Sequence, residues 1–291
     1  MKYKAKTMLF GVLCALIAIG ITLYPLISND LSERNKSIVR TEYTEQVEAM
    51  EDENRTTILT EAEEYNASLW SGTVSVSFSR EALNTAAERY YDLLNVNASG
   101  MMGYVEIQKI GVYLPVYHGT DSDALDKGVG HLMGSSLPVG GESTHTVLTG
   151  HSGLAGEKMF SDLDQLEIGD VFYVHVLEEV MAYEVDEINV VLPEDTSHLN
   201  IERGQDLCTL VTCTPFGVNT HRLLVRGHRI AYTEAIAAPT QEMVEVAVSS
   251  WTQEYLKGIM IGVLAVTLIA IISFIVRQEC RCRKRGNHEK R

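Results

Sequence analysis

From Tyr104 to Tyr232 the chain is a succession of short β-prone runs separated by Gly, Pro, Asp and Asn, and no other feature constrains its fold as strongly. The runs are Tyr104–Ile107, Val112–Tyr117, His145–Leu148, Val171–Val176, Met181–Val191, Leu207–Thr212 and Leu223–Tyr232. Strands so short and closely spaced hide their apolar faces by stacking as a sandwich or closing into a barrel. The expected class is mainly β, with one β-barrel domain over 101–235. No internal repeat or low-complexity tract interrupts it.

The region before the barrel has another texture. From Asn29 to about Asn66 it is Glu-rich and free of Pro and Gly, and Val39, Tyr43, Val47, Met50, Ile58 and Ala62 recur at roughly helical spacing. One or two amphipathic helices are expected there, within a leader covering 29–100. Trp70 to Ser79 reads as a loop or short extended segment. Ser79 then caps a helix from Arg80 to about Leu94, and a last helix from about Gln241 fills a linker at 236–257.

Two apolar runs flank these regions, from about Met8 to Ile27 and from about Gly258 to Val276. Each approaches the roughly 20 residues that a helix needs to cross a bilayer. The first is long for a signal-peptide core and no Ala-x-Ala site follows it, so an uncleaved anchor is expected within 1–28. Lys2, Lys4 and Lys6 precede the first run. Arg277, Arg281, Arg283, Lys284, Arg285, Lys290 and Arg291 dominate the tail at 277–291. The positive-inside rule then predicts a two-pass protein of the cell membrane with cytoplasmic termini and 258–276 as its second span. Removing about +3 and +5 for the two tails from a total of −15 leaves about −23 on the segment between. So acidic a segment argues against nucleic acid as a partner.

Cysteine usage narrows the chemistry. Between the apolar runs only Cys208 and Cys213 occur, among five in all. Five residues along one strand span about 16 Å and reverse the face, so the two cannot be bridged. Cys208 reads as a small buried hydrophobe. Cys14 lies in the first run, and the Cys280-x-Cys282 pair in the tail has no explanation. Cys213 ends a β-prone run stopped by Pro215, and a turn with Gly217 and Asn219 leads to a second run starting at Arg222. If the runs pair as a hairpin, thiol and guanidinium meet at one mouth of the sheet. A fixed cation there stabilises a thiolate, or the oxyanion formed when sulfur attacks a carbonyl.

A thiol also needs a base, and the candidate is His151, in Leu148-Thr149-Gly150-His151-Ser152-Gly153, where a strand breaks between glycines. His118, His131, His145, His175, His198, His221 and His228 each read as readily as ordinary core or surface histidines. His288 lies in the tail.

Thr209-Leu-Val-Thr-Cys213, with Arg222 nine positions on and Leu-Thr-Gly-His151 sixty-two positions upstream of the cysteine, resembles the sortases of Gram-positive bacteria. The stretch from Gly128 to Leu154 is similar to the same family, and the resemblance covers roughly Tyr104 to Tyr232. The helical leader and second apolar run are similar to class C, the pilus-assembling sortases. The resemblance implies a sortase-type β-barrel with N-terminal helices and a transmembrane helix at each end. It implies that Cys213 attacks the Thr–Gly carbonyl of a Leu-Pro-x-Thr-Gly-like sorting signal, giving a thioacyl-enzyme. Arg222 holds substrate and oxyanion, with Thr212 and Thr214 as neighbouring support, and His151 shuttles protons between the amines. The implied partners are pilins or other surface proteins with C-terminal sorting signals, and an amine from a pilin lysine or cell-wall peptide. Neither metal nor organic cofactor is implied. An acidic outer segment also suits a lysine-bearing nucleophile.

One departure concerns the lid that class C enzymes often carry, an Asp-Pro-aromatic motif plugging the site. Between Asn66 and Ala82 no Asp-Pro occurs, and Trp70 and Phe78 are the aromatic candidates for a lid-like segment at 66–82. Without an aspartate to pair with Arg222 such a lid is expected to be loosely held or absent. The rival readings are a sortase attaching single proteins to cell-wall peptide, a hydrolytic cysteine peptidase, and a non-catalytic membrane-tethered surface protein.

Overall fold

A computed structural model describes residues 2–70, 89–96, 99–152, 156–232, 258–262 and 264. Contacts divide the chain into units 1–247 and 248–291. In the second, the described residues 258–262 and 264 are helical.

In the first unit eight strands close into a barrel. They are β1 (Met101–Ile107), β2 (Val112–His118), β3 (Val129–His131), β4 (Thr144–Thr149), β5 (Val171–Val176), β6 (Glu179–Val191), β7 (Asp206–Thr214) and β8 (His221–Ile230). Around the barrel the order is β1-β2-β3-β4-β7-β8-β6-β5, with β2/β3 and β4/β7 parallel and the other described pairs antiparallel. Closure leaves no free sheet edge, which suits strands too short to protect one. All seven expected strands are present. The additional one, β3, has only three residues, too few for an alternating pattern to register.

Side chains fill the interior. On β7 and β8, Cys208, Leu210, Leu223 and Val225 point inward and are buried. Phe172 and Tyr183 stack across β5 and β6 with centroids 5.5 Å apart. They reach that position because residue 227 is glycine, where a Cβ would lie 2.8 Å from Phe172 Cε1.

The leader forms α1 (Lys2–Glu48) and α2 (Asp52–Trp70), and residues 89–92 are helical. Of the residues expected on its apolar face, Tyr43, Val47 and Ala62 are buried, while Val39 and Ile58 pack partly buried. The leader thus packs on the barrel. Tyr43 makes the junction specific: its hydroxyl donates to the Met102 carbonyl at 2.9 Å and accepts from the Leu177 amide at 2.9 Å. Burial raises this phenol to about 12, so it stays protonated and able to donate. On α2, Asn66 donates to the Leu137 carbonyl and accepts from the Leu137 amide, at 3.1 and 2.7 Å. The expected cap Ser79, most of its helix, and the linker helix lie outside the described residues.

The membrane expectation is corrected. Among the described residues no helix is long and apolar enough to cross a membrane, which overturns the transmembrane helix at each end and the two-pass placement. Apolar composition over one stretch is not sufficient. The first run is part of a 47-residue helix that continues through the charged Asp30, Glu33, Arg34, Lys36 and Arg40. Of the second run residues 258–262 and 264 are described, and the rest lies outside the described residues.

Candidate active site

Two strand ends and one strand start meet at one rim of the barrel. β4 and β7 run parallel with Thr149 opposite Val211, and the Gly150 amide donates to the Val211 carbonyl at 2.9 Å. Two residues further on each chain stand His151 and Cys213. β8 returns antiparallel to β7, with Arg222 directly opposite Cys213. Directly opposite residues in an antiparallel pair share a face, so the hairpin sets thiol and guanidinium side by side. Thr209 stands opposite Arg226 in the same register, four positions back along β7 and four on along β8.

That shared face is the outer face of the barrel. Along it Val211 and Leu224 cluster with Val147, with Leu132, Val191 and Leu199 packed against them. Above them lies a groove of ≈ 210 Å³ walled by Leu132, Val147, Leu199, Val211 and Leu224, with Arg222 and Asp195 also in its lining. The segment after β6 forms its far wall through Pro193, Thr196 and Leu199. His145 holds that wall: its Nδ1 lies 2.8 Å from the Asn200 carbonyl and its Nε2 lies 2.7 Å from Thr209 Oγ1. Burial pulls this imidazole below its ordinary range, keeping it neutral in a structural role.

The three polar candidates are accessible. Cys213 is a half-buried free thiol, whereas Cys208 is fully buried and burial pushes its thiol well up, making it inert. Arg222 Nη1 donates to the carbonyls of Asn219 and His221 at 3.3 and 3.1 Å, and among the described residues it pairs with no carboxylate. Among the described residues its charge is therefore uncompensated beside the thiol. His151, with its side chain 32% exposed, directs Nε2 toward Asp126 Oδ1 at 3.9 Å. The Phe160 amide donates to the His151 carbonyl at 3.0 Å, and the Phe160 ring covers Gly150.

Other sequence candidates fall elsewhere. Thr212 is buried, and its hydroxyl donates to the Gly150 carbonyl at 2.8 Å, so it braces β4 against β7. Thr214 is half-buried and opposite His221. Trp70 ends α2 and lines a cleft with Gly140, Gly141 and Thr144, at the start of β4, whereas His151 follows its end. The structure therefore does not bring Trp70 to the rim. Phe78 lies outside the described residues. His118, His131 and His175 are engaged by the fold, with the Gly100 carbonyl, Tyr90 and Glu106 respectively.

Sequence reasoning missed Asp126 and Phe160. Neither belongs to a motif with a fixed spacing from His151, and each reaches the rim only through tertiary packing.

Comparison with known proteins agrees with this architecture. The sortase domain model matches residues 105–230, the span of the barrel. The structure of sortase C1 from Streptococcus agalactiae is 42% identical with a TM-score of 0.62, and the match covers 67% of this chain and 99% of that one. The Streptococcus pneumoniae sortase C structure, described for insights into catalysis and pilin substrate specificity, is 42% identical with a TM-score of 0.57, over 69% of this chain and 99% of that one. Sortase D of Bacillus subtilis is 34% identical over 131 residues, which are 44% of this chain and 63% of that relative. A closed barrel with a thiol at its rim and class C structures among its neighbours defines the class: the sortases, which are cysteine transpeptidases. This chain belongs to the sortase family.

Proposed function

We propose that the chain is a class C-type transpeptidase that cleaves a Leu-Pro-x-Thr-Gly-like sorting signal and joins the acyl group to a lysine of a pilin subunit. The observation that carries this reading is the register of Cys213 against Arg222, with His151 closing the same rim beside an apolar groove. The groove suits the apolar leucine and proline of an extended signal, and Arg222 in its lining supports a scissile carbonyl held beside Cys213. Class C structures as neighbours, one of them described for its pilin specificity, favour a pilin as acceptor.

In this reading Cys213 Sγ attacks the threonine carbonyl carbon, and negative charge gathers on the carbonyl oxygen. The Arg222 guanidinium stabilises that charge, an interaction strongest in the tetrahedral intermediate and so useful to catalysis. His151 donates a proton to the departing glycine amine, the C–N bond breaks, and a thioester remains. An incoming amine then attacks the thioester and transfers its proton to His151, and the C–S bond breaks to release an amide.

The test is a sorting-signal peptide incubated with the full chain and a lysine-bearing pilin, with products mapped by mass spectrometry. Expected is a thioacyl adduct on Cys213 and an isopeptide crosslink, both abolished by Cys213→Ala. Crosslinks persisting in Cys213→Ala would exclude the mechanism. Transfer to a cell-wall peptide amine but not to pilin lysine would replace polymerisation by single-protein anchoring.

A further inference from the structure

A transpeptidase needs room for two substrates, and the groove beside Arg222 accommodates one. A second cleft of ≈ 470 Å³ lies between α1 and the barrel. Its α1 wall includes Ser28, Ser32 and Lys36, and its barrel wall includes Tyr117, Asp126 and Glu157. Asp126 belongs to both places: it lines the cleft and its Oδ1 stands 3.9 Å from His151 Nε2.

The charges in this cleft are unequally committed. Lys36 is buried, and its ammonium is taken by Glu157 at 2.9 Å and Glu33 at 3.8 Å. Lys127 Nζ lies over the Tyr117 ring, 6.0 Å from its centroid. Asp126 is 69% exposed, and among the described residues its ion-pair contact is the weak one to His151. The cleft therefore presents one available carboxylate, placed beside the group that has to deprotonate the acceptor. Its volume falls within the roughly 300–1,000 Å³ of ordinary ligand sites.

We propose that this cleft admits the acceptor, and that Asp126 binds the primary ammonium of its lysine side chain next to His151. The inference rests on the transpeptidase reading and locates its second substrate. Donor and acceptor then approach from opposite sides, the sorting signal along the Arg222 groove and the lysine past α1. The docked ammonium loses one proton to solvent. The amine nitrogen bonds to the acyl carbon, one N–H proton passes to His151, and the C–S bond breaks to return Cys213 as thiolate.

The test uses the full chain, acylated at Cys213 by a sorting-signal peptide, and measures partition of the thioester among three nucleophiles. They are water, Nα-acetyl-lysine amide, and hydroxylamine, which is small and uncharged at neutral pH. Asp126→Asn is expected to lower the ratio of lysine transfer to hydrolysis about five- to twenty-fold, the worth of one partly exposed charge pair. The hydroxylamine ratio should stay within about twofold, and Asp126→Glu should restore at least about half of lysine transfer. Ser32→Trp, filling the cleft from α1, should repeat the selective loss without touching the carboxylate. Equal loss for lysine and hydroxylamine would mean that Asp126 acts only through His151, and would overturn the proposal. So would unchanged lysine transfer in Asp126→Asn and Ser32→Trp. Failure of the parent chain to acylate would instead overturn the transpeptidase reading beneath it.

Discussion

The Thr212 hydroxyl donates to the Gly150 carbonyl at 2.8 Å, joining the residue before Cys213 to the residue before His151. Those two functional positions are sixty-two residues apart in sequence. Their relative height at the rim is fixed by this bond together with the Gly150–Val211 backbone bond. Thr212→Val keeps the shape and β-propensity of the side chain but leaves a buried carbonyl short of a partner. It is expected to cost about 1–2 kcal/mol in urea denaturation and to slow acylation of Cys213, whereas Thr212→Ser retains both. A Thr212→Val protein as stable and as fast as the parent would show that the brace is dispensable.

Among the described residues Arg222 makes only carbonyl contacts, and it is half-buried, so its removal should leave stability within about 0.5 kcal/mol. Its expected contribution lies in the transition state. Arg222→Ala should lower kcat/KM for peptide cleavage about 10²–10³-fold, the usual scale for losing one oxyanion donor. Arg222→Lys should recover little, because an ammonium does not reproduce the guanidinium fork. Steady-state cleavage assays with a fluorogenic sorting peptide check this. Near-parental rates in Arg222→Lys would mean that charge alone suffices.

Much of this site was legible because strand alternation and a hairpin turn are local signals. Pro215, Gly217 and Asn219 announce the turn, and a hairpin across it brings Cys213 and Arg222 to one mouth of the sheet, where the register sets them opposite each other. His151 needed more, since its approach to Cys213 depends on β4 pairing parallel with β7, a contact between distant segments. Asp126 was not legible at all. It follows the four-residue helix α3 (Ser122–Leu125), and its closeness to His151 arises only when β3 and β4 pair. Thr212 was misread for a related reason: an inward-facing hydroxyl beside a nucleophile looks like substrate support until its carbonyl partner on β4 is seen. For the first apolar run, local hydropathy gave no sign of the 47-residue helix that contains it.

Gly150 carries a steric demand that follows from Phe160. A Cβ at residue 150 would lie 2.6 Å from Phe160 Cδ2, and the ring is fully buried with nowhere to retreat. Gly150→Ala is therefore expected to destabilise by about 1–3 kcal/mol, as overpacking does. It should also displace His151, whose carbonyl accepts from the Phe160 amide. Activity should fall more than stability alone explains. The double variant Gly150→Ala/Phe160→Leu should lose less than the sum of the two single variants, because the smaller side chain opens the space. Additive losses in denaturation would show that ring and glycine do not compete.

Acid should unfold this domain through its buried imidazoles. His131 is fully buried between the Tyr90 hydroxyl and the Ser136 carbonyl, each 2.8 Å from a ring nitrogen, and burial lowers its pKa from 6.5 to about 4. His118 and His145 are shifted in the same direction, again chiefly by burial. Below pH 6.5 the unfolded chain takes up protons that the folded chain refuses, so stability declines as pH falls toward about 4. His131 alone contributes about 3 kcal/mol across that window. Urea midpoints at pH 7, 5.5 and 4.5 should therefore fall steeply for the parent. His131→Asn, which keeps polar groups near both partners without a titrating ring, should be less stable at pH 7 but follow a shallower slope. Parallel slopes for the two proteins would place the acid sensitivity elsewhere.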